Sequence, residues 1–167
     1  MTEKQSVSFT VIGRVSGHHR ADRFYDRKKK VMRAFRNKEY DNSRKVIQLA
    51  AKVAACGYNQ PELHTTTRVY LHFLVGTHTL IKRKDGKQYW KGRSVCDADN
   101  ICKAILDALQ GIFFKNDKDA VALPFIENLT NDNPYITRFD NRDGNQQDWT
   151  EVRVESIPAE QMTLEPR

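Results

Sequence analysis

Asp97-Ala98-Asp99-Asn100-Ile101-Cys102-Lys103-Ala104-Ile105-Leu106-Asp107-Ala108-Leu109 is the most strongly patterned stretch of the chain. At about 100° per residue, Ile101, Ile105 and Leu109 share one side of a helix, with Ala104 and Ala108 beside them. Asp99, Lys103 and Asp107 share another side, each four residues from the next. The spacing predicts a helix from Asp99 to about Phe113. Asp99 or Asn100 is its natural cap, because the positive end of the helix dipole favours carboxylates.

Strands to carry that helix are legible on both sides. Thr66 to Val75 is rich in β-branched and aromatic residues, and Ala120–Ile126 and Trp149–Ser156 read as later strands. Val7 to Ile12 alternates loosely and stops at Gly13, which gives a first strand. Tyr40 to Gly57 reads as a helix, capped by Asp41, Asn42 or Ser43, with a core stripe of Val46, Leu49, Ala50, Val53 and Ala54. Residues 13–39 show no sustained period and read as a long basic loop; about 128–148 reads as a polar loop region with some hairpin content. No linker divides the chain, so residues 1–167 are expected to form one domain.

Charge is distributed unevenly. Residues 1–50 hold 13 Lys and Arg against 5 Asp and Glu, whereas residues 101–167 hold 7 against 12. A front half this basic suggests a polyanionic partner, since neutralising phosphates releases counterions. Two clusters carry the charge. Arg20, Arg23, Arg27, Lys28, Lys29, Lys30, Arg33 and Arg36 are interleaved with aromatics, the mixture that single-strand binders use. Lys82, Arg83, Lys84 and Lys87 surround an Asp85-Gly86 turn, which reads as a hairpin with a basic tip. The bland alternatives are a solvated loop, and an edge blocked against pairing.

Asp97 and Asp99 are close enough to repel unless a cation lies between them, and a hard divalent ion takes one or two carboxylates plus phosphate and water. Asp117 and Asp119, in the polar loop after the helix, offer a third carboxylate for metal-assisted phosphodiester hydrolysis. Lys103 could hold the scissile phosphate. The plain alternative is capping, with Asp99 and Lys103 as a surface pair worth ~0.3–0.5 kcal/mol. Cys56, Cys96 and Cys102 have no C-x-x-C spacing and the five histidines no zinc pattern, so reduced thiols are expected and a zinc site is not. No apolar run approaches the ~20 residues of a membrane span. The start, MTEKQSVSFT, lacks an apolar signal region, so a cytoplasmic location is expected. There is no Glu-x-Lys of the common metal nucleases and no phosphate-binding G-x-x-x-x-G-K-[ST] loop.

At Asp97-Ala98-Asp99-Asn100, Lys103, Asp107-Ala108-Leu109 and Lys115-Asn116-Asp117 the chain resembles the RusA family of Holliday-junction resolvases of bacteria and their phages. The resemblance implies a small α/β (α+β) domain with a mixed sheet flanked by helices, paired as a homodimer. It implies a Mg²⁺-dependent endonuclease (Mn²⁺ being a possible substitute) that cuts four-way DNA junctions in recombination and repair. Asp97, Asp99 and Asp117 would be the metal-binding carboxylates, with Asp119 as a rival for the third, and Lys103 a catalytic cation. A non-catalytic DNA-binding protein on the same fold is the alternative.

Overall fold

The structure, a computed structural model, describes residues 6–17, 23–34, 38–57, 66–94, 97–125 and 133–157. Its centre is β4 (Thr66–Gly76), an eleven-residue strand flanked on one side by the antiparallel β9 (Trp149–Ile157). β1 (Ser6–Ile12) adds antiparallel to the far side of β9. The other flank of β4 is shared by two short parallel strands: β7 (Ala120–Pro124) pairs with Thr67–Leu71, and β8 (Ile136–Phe139) with Phe73–Gly76. The sheet is therefore mixed, and with its two helices the fold is α+β, as expected.

Alternation decides which face is buried. Val7, Phe9 and Val11 of β1, Val152 and Val154 of β9, and Val69, Leu71 and Phe73 of β4 stand in register on one face. They share one core with α1 (Lys38–Ala54) and α2 (Ala98–Leu109). Burying each such aliphatic or phenyl side chain contributes about 1.5–3 kcal/mol. The opposite face carries Tyr70, His72 and Arg153, with the Arg153 guanidinium 4.4 Å from the Tyr70 ring centre and 4.9 Å from that of Phe125.

Four expectations need correction. The 13–39 stretch is no continuous loop: Arg23–Asp26 (β2) and Val31–Ala34 (β3) pair as a hairpin whose tip is Arg27–Lys30. Helix α1 begins at Lys38, so the residues expected to cap it lie within it, and its buried residues are Ile47 and Ala51. Val46, Leu49 and Val53, read as core, are 51%, 67% and 71% exposed. Helix α2 is capped by Asp97, not Asp99 or Asn100, and ends at Leu109. Phe113 lies beyond it, fully buried and stacked on Phe9 at 6.3 Å. Finally, the polar region near 136 contributes β8 to the main sheet, parallel to β4, where a loop with some hairpin content was expected.

The Asp-Gly hairpin forms as read. His78–Lys82 (β5) and Gln88–Gly92 (β6) pair only with each other, and Gly86 takes the left-handed φ of +84° that the turn requires. Among the described residues, no helix is long and apolar enough to cross a membrane.

Candidate functional site

A parallel pair such as β4 and β7 needs a crossover, and α2 supplies it. The helix must return the chain from the end of β4 to the start of β7. Its first residues therefore stand over the end of β4, and Ile101 lines a cavity with Phe73, Leu74 and Val75. Asp97 and Asp99 occupy this end. Asp97 is the cap by backbone geometry (φ −57°, ψ 140°), yet its carboxylate makes no capping hydrogen bond. Both carboxylates are exposed, and among the described residues neither has a hydrogen-bond or ion-pair partner. Two oxygen donors left uncommitted at the positive end of a helix fit a hard divalent ion, which also takes water and phosphate oxygens.

The neighbourhood of this pair is packed. Cys102 is buried one turn on, and its thiol is pushed up to about 12, first by burial and then by Asp99. The Tyr135 hydroxyl donates to the Ala122 carbonyl at 3.2 Å, and its pKa is raised by burial and then by nearby Cys102 and Asp99.

Lys103 extends along the helix to Asp107, Nζ to Oδ1 3.6 Å. The other Asp107 oxygen accepts from the Tyr40 hydroxyl of α1 at 3.2 Å. Burial and then Asp107 raise the Tyr40 pKa. The pairing fixes Lys103 from the side away from Asp99. No spacing rule points to Tyr40, 67 residues earlier, so this contact was not legible in the sequence.

The third acid of the sequence pattern lies beyond the other end of the helix. After α2 the chain turns back on itself: Gln110 Nε2 donates to the Lys115 carbonyl at 3.0 Å, and Gly111 N to that of Phe114 at 2.7 Å. A 3-10 turn, Asp117–Asp119, follows and leads directly into β7. The turn comes after the far end of α2, a helix of twelve residues about 18 Å long that begins beside Asp97 and Asp99. Among the described residues, no three His, Cys, Asp or Glu side chains form a metal-holding group. The Asp119 carboxylate accepts from both the backbone and the side-chain nitrogen of Asn116, at 3.2 and 3.3 Å. The side chain of Asp117 lies outside the described residues.

The expected DNA contacts divide in the same way. Lys82, Arg83, Lys84 and Lys87 form the exposed tip of the β5–β6 hairpin, and Arg27–Lys30 the exposed tip of β2–β3. Arg23 and Arg33 lie on the strands of the latter, their side chains outside the described residues, as are Arg20 and Arg36 altogether. Each basic run therefore contributes a hairpin tip.

One structural device near the site gave no sequence signal. The Arg93 guanidinium forms a nearly buried ion pair with Asp148 at 2.7 Å, and also donates to the Gly76 carbonyl and the Thr79 hydroxyl. Asp148 accepts in turn from Gly76 N at 2.9 Å. Asn141 accepts from His78 N and donates to the His78 carbonyl, both at 2.9 Å. These bonds fasten the base of the basic hairpin to the main sheet and fix where the chain leaves for Asp97.

Fold and site together define a small α+β protein whose exposed acid pair, at the start of a crossover helix, is accompanied by two basic hairpins. The endodeoxyribonuclease RusA family model matches residues 14–137, most of the chain, and the chain belongs to that family. No curated protein and no solved structure matches it. The family is one of DNA-cutting enzymes that act on Holliday junctions, and the matched span contains both hairpins, α2 and the 117–119 turn.

Proposed function

We propose that this protein is a metal-dependent endonuclease that resolves four-way DNA junctions by paired, symmetric hydrolysis of phosphodiester bonds. The observation that carries the reading is the uncommitted carboxylate pair of Asp97 and Asp99 at the start of α2. These residues would hold Mg²⁺, or Mn²⁺, which when bound would activate water and offset charge on the phosphate. Lys103, held by Asp107, lies one turn on, where a cation can neutralise a phosphate oxygen. The basic tips at Arg27–Lys30 and Lys82–Lys87 hold the flanking strands.

The protein acts as a homodimer in this reading, for two reasons. Two symmetric cuts call for two identical sites, which a two-fold pair provides. The order of the acids along the chain supplies the second: Asp97 and Asp99 stand at the start of α2 and the 117–119 turn follows its end. Two helices placed antiparallel by a two-fold axis set the start of one beside the end of the other. Asp97 and Asp99 of one copy can then share an ion with an acid from the other copy's 117–119 turn. Because Asp119 already holds Asn116, Asp117 is the better third ligand. The exposed aliphatic strip of Val46, Leu49 and Val53 on α1 is the sort of surface a second copy covers.

Asp99→Asn tests the reading. With a synthetic junction and Mg²⁺, cleavage should fall by roughly 10²-fold or more, while junction affinity in Ca²⁺ is retained or rises. Loss of folding together with binding would assign Asp99 to structure. The second reading is a DNA-binding protein without catalysis, which keeps the two basic hairpin tips and binds no metal. Binding with no cleavage by the unmutated protein, in Mg²⁺ or Mn²⁺, would establish it.

A further inference from the structure

The β5–β6 hairpin has no hydrophobic reason to exist. Among the described residues its strands pair with no other strand, every residue from Lys82 to Gly92 is exposed, and the Leu80, Tyr89 and Trp90 side chains are 46%, 42% and 38% open to solvent. An isolated two-stranded ribbon is marginal in water. Here it is held at both ends. At the tip, Arg83 N donates to the Lys87 carbonyl at 2.8 Å, Gly86 N to that of Arg83 at 3.0 Å, and Lys87 N to Asp85 Oδ1 at 3.1 Å. At the base, Arg93 and Asn141 provide the fastening described above. Such an arm keeps its direction when it meets a partner.

The two faces of the ribbon differ. Ile81 stands opposite Tyr89, and the Arg83 guanidinium covers the Tyr89 ring at 5.0 Å. Leu80 stands opposite Trp90 on the other face, and among the described residues the Trp90 indole has no aromatic or cationic partner. Residues 82–91 carry five cations against one carboxylate, so the arm suits a polyanion, and its open indole suits a π-face. Fully stacked duplex hides its π-faces; a branch point exposes some. Trp90 precedes Asp97 by seven residues, so their Cα atoms are at most about 25 Å apart. That is within a single turn of DNA, about 34 Å.

We propose that this hairpin is the branch-reading element: Trp90, backed by Leu80, stacks on unpaired bases at the crossover while Lys82, Arg83, Lys84 and Lys87 take the flanking phosphates. The assignment rests on the reading of the protein as one that acts on branched DNA. It goes further by naming the surface that separates a junction from linear duplex.

Binding is measured in Ca²⁺ without cleavage, on a four-way junction and on linear duplex of the same arm sequence. Trp90→Ala should weaken the junction complex roughly fivefold to a hundredfold and change duplex affinity less than twofold. Trp90→Phe, which keeps a ring, should retain most of the discrimination. A readout without disturbance of the hairpin is the tryptophan emission of the unmutated protein. Junction should quench it and duplex should not, and the difference should vanish in Trp90→Phe, where only Trp149 emits. If the unmutated protein discriminates and Trp90→Ala discriminates equally, this proposal alone fails. If the unmutated protein shows no preference for the junction, the underlying reading fails with it.

Discussion

At the residue scale, the carboxylates of α2 show how one spacing serves different ends. Asp107 binds Lys103 and Tyr40 and so ties the two helices together, whereas Asp97 and Asp99 remain uncommitted. Cys102, between them on the inward side, reports the packing. Its thiol is buried and its pKa is raised to about 12, so at pH 8 almost none of it is thiolate, the form that reacts. Cys56 is exposed at the end of α1. In a Cys96→Ser background, one thiol should react with Ellman's reagent at once and the second only as guanidinium unfolds the protein. Two rapid thiols at pH 8 would show that the start of α2 is not packed as described.

Elements were legible where one side of the pattern was apolar and the other polar. The α2 stripe of Ile101, Ile105 and Leu109 is buried as read, and the strand runs near 7–12, 66–75 and 149–156 are strands. Helix α1 is different, because apolar residues stand on both its sides. Ile47 and Ala51 face the sheet, Val46, Leu49 and Val53 face water, and a period of 3.6 cannot say which stripe the sheet will choose. The β2–β3 hairpin escaped notice because four-residue strands bearing Arg and Asp have neither alternation nor a glycine turn; Lys30 takes the left-handed φ of +51° instead. The candidate site was legible as a list of acids and cations, since those depend on local spacing. Their placement was not, because where the 117–119 turn falls relative to the start of α2 depends on the crossover between β4 and β7. Within β4, Thr67 is fully buried and its hydroxyl has no hydrogen-bond partner among the described residues. A buried unpaired hydroxyl costs about 1–3 kcal/mol, and valine has nearly the same shape. Thr67→Val should therefore stabilise by about 1 kcal/mol and raise Tm by ~2–4 °C in a thermal melt. A lower Tm would mean that the hydroxyl is satisfied.

For the whole molecule, the question is whether one chain holds a complete site. Phe114 and Lys115, just ahead of the 117–119 turn, are tied to Gln110 and Gly111 at the end of α2, while Asp97 and Asp99 stand at its start. An ion takes oxygen ligands at little more than 2 Å, so the acids of one site must converge closely, whichever chain supplies them. If a second copy supplies the missing acid, each site of the dimer takes Asp97 and Asp99 from one chain and Asp117 from the other. The consequence is a test by mixing. Asp99→Asn and Asp117→Asn homodimers should each be inactive. In the mixed dimer both lesions fall in one site, and the other site has unmutated Asp97, Asp99 and Asp117. Co-expressed chains carrying different affinity tags, purified through both, should regain cleavage on a labelled junction. They should cut one strand only, because one site remains. A self-contained site in each chain predicts the reverse, since every chain then carries one lesion and the mixed dimer is as inactive as its parents. Recovery with single-strand cutting thus distinguishes a shared centre from two independent ones, and it does so without relying on where any metal is seen.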